Sequence, residues 1–316
     1  MRQVLPDIVR RAHAQQITYC ANQRQLSRRW LDPVQDELLA RARAARAAAD
    51  REFHTLTAQA SALAPDNIGE ATPATYPIGY CHWICDAVWA RLSTDVLVAR
   101  LRRHGLLWQK VFCIGEGSYF QNVIQIGDYL LDPAHDSLDG CAVPVVCTAL
   151  ATAPVENLDR WARYAAVARA YYHIDVYPNR YFPLLFPLVP FLAVRSAGRL
   201  ELLYQQQLLF LLDVGEDWRR IRELMRDEVW RAQSLPAACV QQLGELCRSG
   251  AFEQFPFEFR PLDDAALVAA LQDWQQLRTL APKALERTLR ELHRLVTLAA
   301  QRLRAANIRV GAWREV

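Results

Sequence analysis

Lysine is nearly missing. Lys110 and Lys283 are the only two among 37 lysines and arginines, which leaves 35 arginines in 316 residues. With abundant Ala, Leu and Gln, that bias reads as the mark of a GC-rich bacterial genome rather than of a function. The net charge is only +3, too small by itself to point to nucleic acid, and no nucleic-acid partner is expected. No run is long and apolar enough for a lipid-spanning helix. The most apolar stretch, Tyr181 to Val194, is short and broken by Pro183, Pro187 and Pro190, each of which disrupts a helix interior. The start, MRQVLPDIVRR, lacks the apolar run of a secretory leader. A cytoplasmic setting with reduced thiols is therefore expected, with delivery elsewhere as an injected effector left open. Eight cysteines are scattered without a CxxC pair, so neither a metal site nor a disulfide framework is indicated. Gly115-Glu116-Gly117 reads as a turn and matches no phosphate-cradling pattern. No cofactor and no metal are expected, and there is no internal repeat or low-complexity tract.

What is present is core-forming material. Apolar residues make up 52% of the chain and nine are Trp, which excludes a wholly disordered polypeptide. The length allows one large domain or two of ordinary size. Three segments are expected: a helical arm over 1–67, a small core over 68–150, and a mainly helical region over 151–316. In the arm, Asp32-Pro33-Val34-Gln35 is a helix start, with Asp as N-cap, Pro at the first helical position and Gln at the capping-box position. That helix should run to about Ala62, followed by a polar linker over 64–73. The first 60 residues hold ten arginines against six acids, which reads as a solvated face able to meet an acidic partner.

From Asn157 onward helices are expected at Glu216–Gln233, Pro236–Ser249, Asp263–Leu280 and Lys283–Ala306. Between them, a hairpin is centred on Ala197-Gly198 within Pro190–Tyr204. In the last helix Leu285, Leu289, Leu292, Val296, Ala299 and Leu303 alternate steps of four and three. That is a short heptad seam, suited to packing in a bundle or to a homodimer through this helix. The cluster Phe252, Phe255, Phe257 and Phe259 reads as a strand or docking edge. Tyr171 to Tyr177 reads as core packing.

The middle segment carries the chemistry. YPIGYCHWICDAVWARL puts Cys81 just after a Pro-Ile-Gly turn, at the start of a helix whose Cys81, Ile84, Cys85, Val88 and Leu92 share one face. Two strands follow, around Val111–Ile114 and Val123–Ile126, then a Gly127-Asp128 turn into Tyr129-Leu130-Leu131-Asp132. One more strand can come from Cys141–Cys147. A helix N-terminus lowers a thiol pKa and offers backbone amides to an oxyanion. A base must also take the proton, usually a His oriented by a third group.

This order over residues 76–139 resembles the transglutaminase-like and papain-like cysteine enzymes. The resemblance implies an α+β fold, a small core of that type flanked by N-terminal helices and a mainly helical C-terminal region. It places the nucleophile at Cys81 and the orienting carboxylate at Asp132, and its His position falls on Gln121. A glutamine amide can orient and donate but cannot shuttle a proton. His135, three residues past Asp132, is the alternative base. His82 follows Cys81 on the helix and so points about 100° away. Two functions are implied: acyl transfer or hydrolysis on an amide or thioester of a protein, peptide or small acyl substrate, or a catalytically inactive binding module on the same fold.

Overall fold

A computed structural model describes residues 12, 14–59, 75–138, 141–182, 185–195, 198–203, 207–252, 263–275, 280 and 282–308. The linker over 64–73 and the residues Phe255, Phe257 and Phe259 lie outside these. In chain order the elements are α1 (Ala21–Trp30), α2 (Gln35–Gln59), α3 (Cys81–Leu92), α4 (Val96–Arg103), β1 (Trp108–Gly115), β2 (Tyr119–Ile126), β3 (Tyr129–Asp132), β4 (Val146–Ala149) and β5 (Val155–Asn157). Then follow α5 (Trp161–Tyr172), β6 (Asp175–Pro178), β7 (Phe191–Val194), β8 (Leu200–Leu202), α6 (Gln207–Gly215), α7 (Arg219–Arg226), α8 (Glu228–Ala232), α9 (Ala237–Arg248), α10 (Asp264–Gln275) and α11 (Pro282–Ala306). The class is mixed α+β. No described helix is long and apolar enough to cross a membrane.

The chain divides into two compact units, residues 14–157 and residues 1–13 with 158–316. In the first, one antiparallel sheet has the order β4-β3-β2-β1-β5. The arm and the core, expected as separate segments, share one hydrophobic interior. Leu38, Ala42, Ala45 and Phe53 of α2 pack with Ile84, Cys85, Val88 and Leu92 of α3 and with Ile124, Ile126 and Leu131 of the sheet. The alanines of α2 explain the closeness, because small side chains let the α2 backbone approach α3. Each fully buried Leu or Ile contributes roughly 1.5–3 kcal/mol to this face. The start of α2 differs in detail from the sequence expectation. Asp32 opens a short 3-10 turn without capping it, and its carboxylate instead accepts from the Tyr129 hydroxyl at 3.0 Å.

The opposite sheet face buries Val111, Cys113, Val123 and Leu130 against Ile17 and Leu150. Segment 15–18 is held there by side-chain amides that imitate a strand's backbone. Gln125 accepts from the Thr18 N–H at 2.9 Å and donates to the Thr18 carbonyl at 2.8 Å. Asn157 does the same for Ile17, at 2.6 and 3.1 Å. Buried amide backbone needs such partners, and these carboxamides supply them.

The second unit is built around a three-stranded sheet, β6-β7-β8. The expected hairpin is present as β7 and β8, paired Leu192↔Leu202 to Val194↔Leu200. β6 adds a strand where only core packing was expected. The helix expected over 216–233 breaks at Asp227, whose side chain caps α8 by accepting from the Trp230 N–H. On α11, Val296, Ala299 and Leu303 are fully buried within the unit, and the Leu200 N–H donates to the Ile308 carbonyl just beyond it at 3.0 Å. Those three residues are therefore spent on the fold and are not free to form a dimer seam, while Leu289 and Leu292 stay half-buried.

Candidate functional site

Cys81 is the first residue of α3. The chain turns into it through Pro77-Ile78-Gly79, with the Tyr80 N–H donating to the Pro77 carbonyl at 3.1 Å. Gly79 takes φ 82° there, a left-handed conformation that glycine adopts without cost. Tyr80, the N-cap, provides no side-chain hydrogen bond. The Asn122 carboxamide instead points at the thiol, its Nδ2 3.5 Å from Sγ, and with the backbone N–H groups of Asn122 and His82 it favours the thiolate. Burial nonetheless pushes the Cys81 pKa up, and the negative charge of Asp132 adds to the rise. The donors do not offset these two effects. The resting group is a thiol.

Gln121 is turned away from Cys81. Along β2 successive side chains point to opposite faces. Asn122 belongs to the row of Ile124 and Ile126, which faces α3, while Gln121 belongs to the row of Val123 and pairs in register with Cys113 on the other face. The carboxamide of Gln121 donates to both oxygens of Asp132, at 3.1 and 3.0 Å, and to the Ala134 carbonyl at 3.4 Å. Its own oxygen is buried with no donor. Asp132 also accepts the Ala134 N–H at 2.9 Å and lies 3.4 Å from Nδ1 of His135. That contact with Asp132 holds the imidazole pKa above its ordinary value. Gln121, Asp132 and His135 thus form one hydrogen-bonded group, and Cys81 with Asn122 forms another. His82 is exposed, and its Nε2 lies 3.8 Å from Asp86.

A buried arginine ties this region together. Arg46 of α2 donates to Asp50 at 2.7 Å, to the Pro133 carbonyl at 2.7 Å, and through both terminal nitrogens to Asp136 at 2.7 and 3.1 Å. Burial opposes its charge, but the Asp136 and Asp50 carboxylates more than offset that and hold the guanidinium above its usual pKa. The Tyr76 hydroxyl also donates to Asp50, and its ring stacks on Phe53 with centroids 4.0 Å apart. One helix therefore fixes both the Pro133–Asp136 loop, which carries His135, and the turn leading into Cys81.

Asn122, Arg46 and Tyr76 were not singled out from the sequence. A signal existed for two of them. Asn122 shares the parity of Ile124 and Ile126, and Arg46 interrupts the buried stripe Leu38, Ala42, Ala45, Ala49 and Phe53. Among the described residues no three His, Cys, Asp or Glu side chains are placed to hold a metal. Compared with known protein families, curated proteins and solved structures, the chain matches none.

Proposed function

We propose that the 14–157 unit is a papain-like or transglutaminase-like scaffold that binds its ligand without turning it over. The observation that carries this reading is the partner of Cys81. A cysteine nucleophile needs a base within hydrogen-bond reach, and the side chain at 3.5 Å is the Asn122 carboxamide. A carboxamide donates and accepts but moves no proton. Burial keeps the thiol protonated, and His135 is directed to Asp132. A peptide or a small acyl compound is the ligand class that the resemblance implies.

A second reading is cysteine-dependent acyl transfer or hydrolysis. It is favoured by the place of Cys81 as the first residue of α3, where unpaired first-turn N–H groups of a helix can meet an oxyanion.

Alkylation by iodoacetamide, mapped by mass spectrometry, separates the two. Cys20 is exposed and serves as the internal reference. At about pH 7, where an ordinary thiol is only a few per cent ionised, Cys81 should react more slowly than Cys20. Faster labelling of Cys81, together with an esterase activity that Cys81→Ala removes, would replace the binding reading by the enzymatic one.

A further inference from the structure

The C-terminal ends of α1 and α4 meet. Trp30 and His104 stack with centroids 3.7 Å apart and planes 6° from parallel. Gln23 braces the contact, donating to the Gly105 carbonyl at 3.1 Å and accepting the Leu107 N–H at 2.8 Å. Arg28 and Arg29 lie in the last turn of one helix and Arg100, Arg102 and Arg103 in the last turn of the other. All five are exposed, and among the described residues none of them is paired with a carboxylate. Of the other arginines of the same unit, Arg24 is paired with Asp128, Arg41 with Glu37 and Asp95 and Arg91 with Glu52, whereas Arg43 and Arg51 of α2 are exposed with no carboxylate partner among the described residues.

Basic residues at helix C-termini stabilise the helix dipole, and that accounts for part of the pattern. Each terminus carries a partial charge of only about −0.5, so two of them neutralise roughly one guanidinium. Asp32, exposed just beyond α1, offsets one more. A net positive surface remains. We propose that it binds the phosphate backbone of a nucleic acid, without reading sequence.

The chemistry favours that partner. Guanidinium groups grip phosphate oxygens bidentately, with a geometry that lysine lacks. Trp30 is occupied by His104 on one side and by the Arg29 guanidinium 4.8 Å from its centroid, so no ring is left for base stacking. A protein partner would need a buried aromatic or aliphatic anchor at the centre of the interface. An anionic membrane would gain the same charge attraction, about 1 kcal/mol per arginine, but no insertion of apolar side chains. Leu31, Leu101 and Leu106 are all buried. The exposed Val96 lies at the far end of α4, about 10 Å from Arg103 at roughly 1.5 Å per residue. The net charge of +3, too small by itself to point to nucleic acid, averages over this local excess.

The test is fluorescence anisotropy of the full chain with a labelled mixed-sequence DNA duplex, over a salt series. Four to five phosphate contacts give a log–log salt slope of about −3.5 to −4.5, a loss of roughly 10²-fold between about 50 and 200 mM salt. The pairs Arg28→Glu/Arg29→Glu and Arg102→Glu/Arg103→Glu should each weaken binding at least about tenfold and flatten the slope by about two. Arg43→Glu/Arg51→Glu, exposed arginines of α2, should weaken binding less, through net charge alone, and leave the slope unchanged. Circular dichroism checks that each variant is folded. No binding at low salt overturns the proposal. So does equal weakening by the control pair, or retention on phosphatidylserine vesicles that depends on the same arginines without any binding to the duplex.

Discussion

Arg46→Met tests whether α2 holds the candidate site together. Methionine keeps most of the length and apolar stem while removing the guanidinium. The arginine side chain is 3% exposed, and its carboxylate partners Asp50 and Asp136 are 32% and 20% exposed. Breaking a buried ion pair from one side costs about 3–5 kcal/mol, because the remaining charge is left unpaired. Here both carboxylates can regain some water, which moves the expectation to the lower end. The Pro133 carbonyl, which accepts from Arg46 at 2.7 Å, loses its donor and adds to the cost, since an unsatisfied buried acceptor costs about 1–3 kcal/mol. A loss of about 3 kcal/mol is expected once stem packing is retained. Because the chain has two units, hydrogen exchange of peptides from 14–157 is the appropriate readout, with peptides from 158–316 as control. Arg46→Met/Asp136→Asn should cost less than the sum of its single variants, since the two share one contact. A loss below about 1 kcal/mol would place Arg46 with solvated surface ion pairs and refute the idea that α2 positions the His135 loop.

Asn122→His places an imidazole where Cys81 finds its carboxamide, and alkylation of Cys81 near neutral pH should rise by roughly 10²-fold, the low end for a positioned general base. Gln121→His, on the other row of β2, should leave that rate unchanged, and the opposite ranking of the two variants would overturn the face assignment. For His135, NMR titration should show a pKa above the ordinary value, falling back in Asp132→Asn. Because the folded value is raised, this group's stabilising contribution is complete below about pH 6.5 and is lost as pH rises through the folded pKa. In the second unit, burial pushes Asp213 up to about 6, even though it accepts from Trp161 Nε1 at 2.7 Å. The folded state then binds this proton more tightly than the unfolded one. Thermal unfolding should show the wild type gaining stability relative to Asp213→Asn as pH falls from about 6 to about 4; a constant difference would mean that Asp213 is not desolvated.

Periodicity alone determines much of this protein. The stripe from Cys81 to Leu92 specifies an amphipathic helix, and the Pro-Ile-Gly turn fixes its start at the cysteine. Alternation around Gly127-Asp128 specifies a hairpin, and Ala197-Gly198 marks another. These features rest on interactions between residues close in sequence, so the chain carries them openly. The partner of Cys81 is a different matter. Gln121 and Asn122 are adjacent, and in a strand a shift of one residue exchanges the two faces. Only the packing of α3 against the row of Ile124 and Ile126 decides that Asn122 meets the thiol while Gln121 turns to Asp132. The Arg46 clamp and the meeting of α1 with α4 are likewise tertiary. Each joins residues tens of positions apart, and no local pattern records which charges will be buried together and which left without a partner.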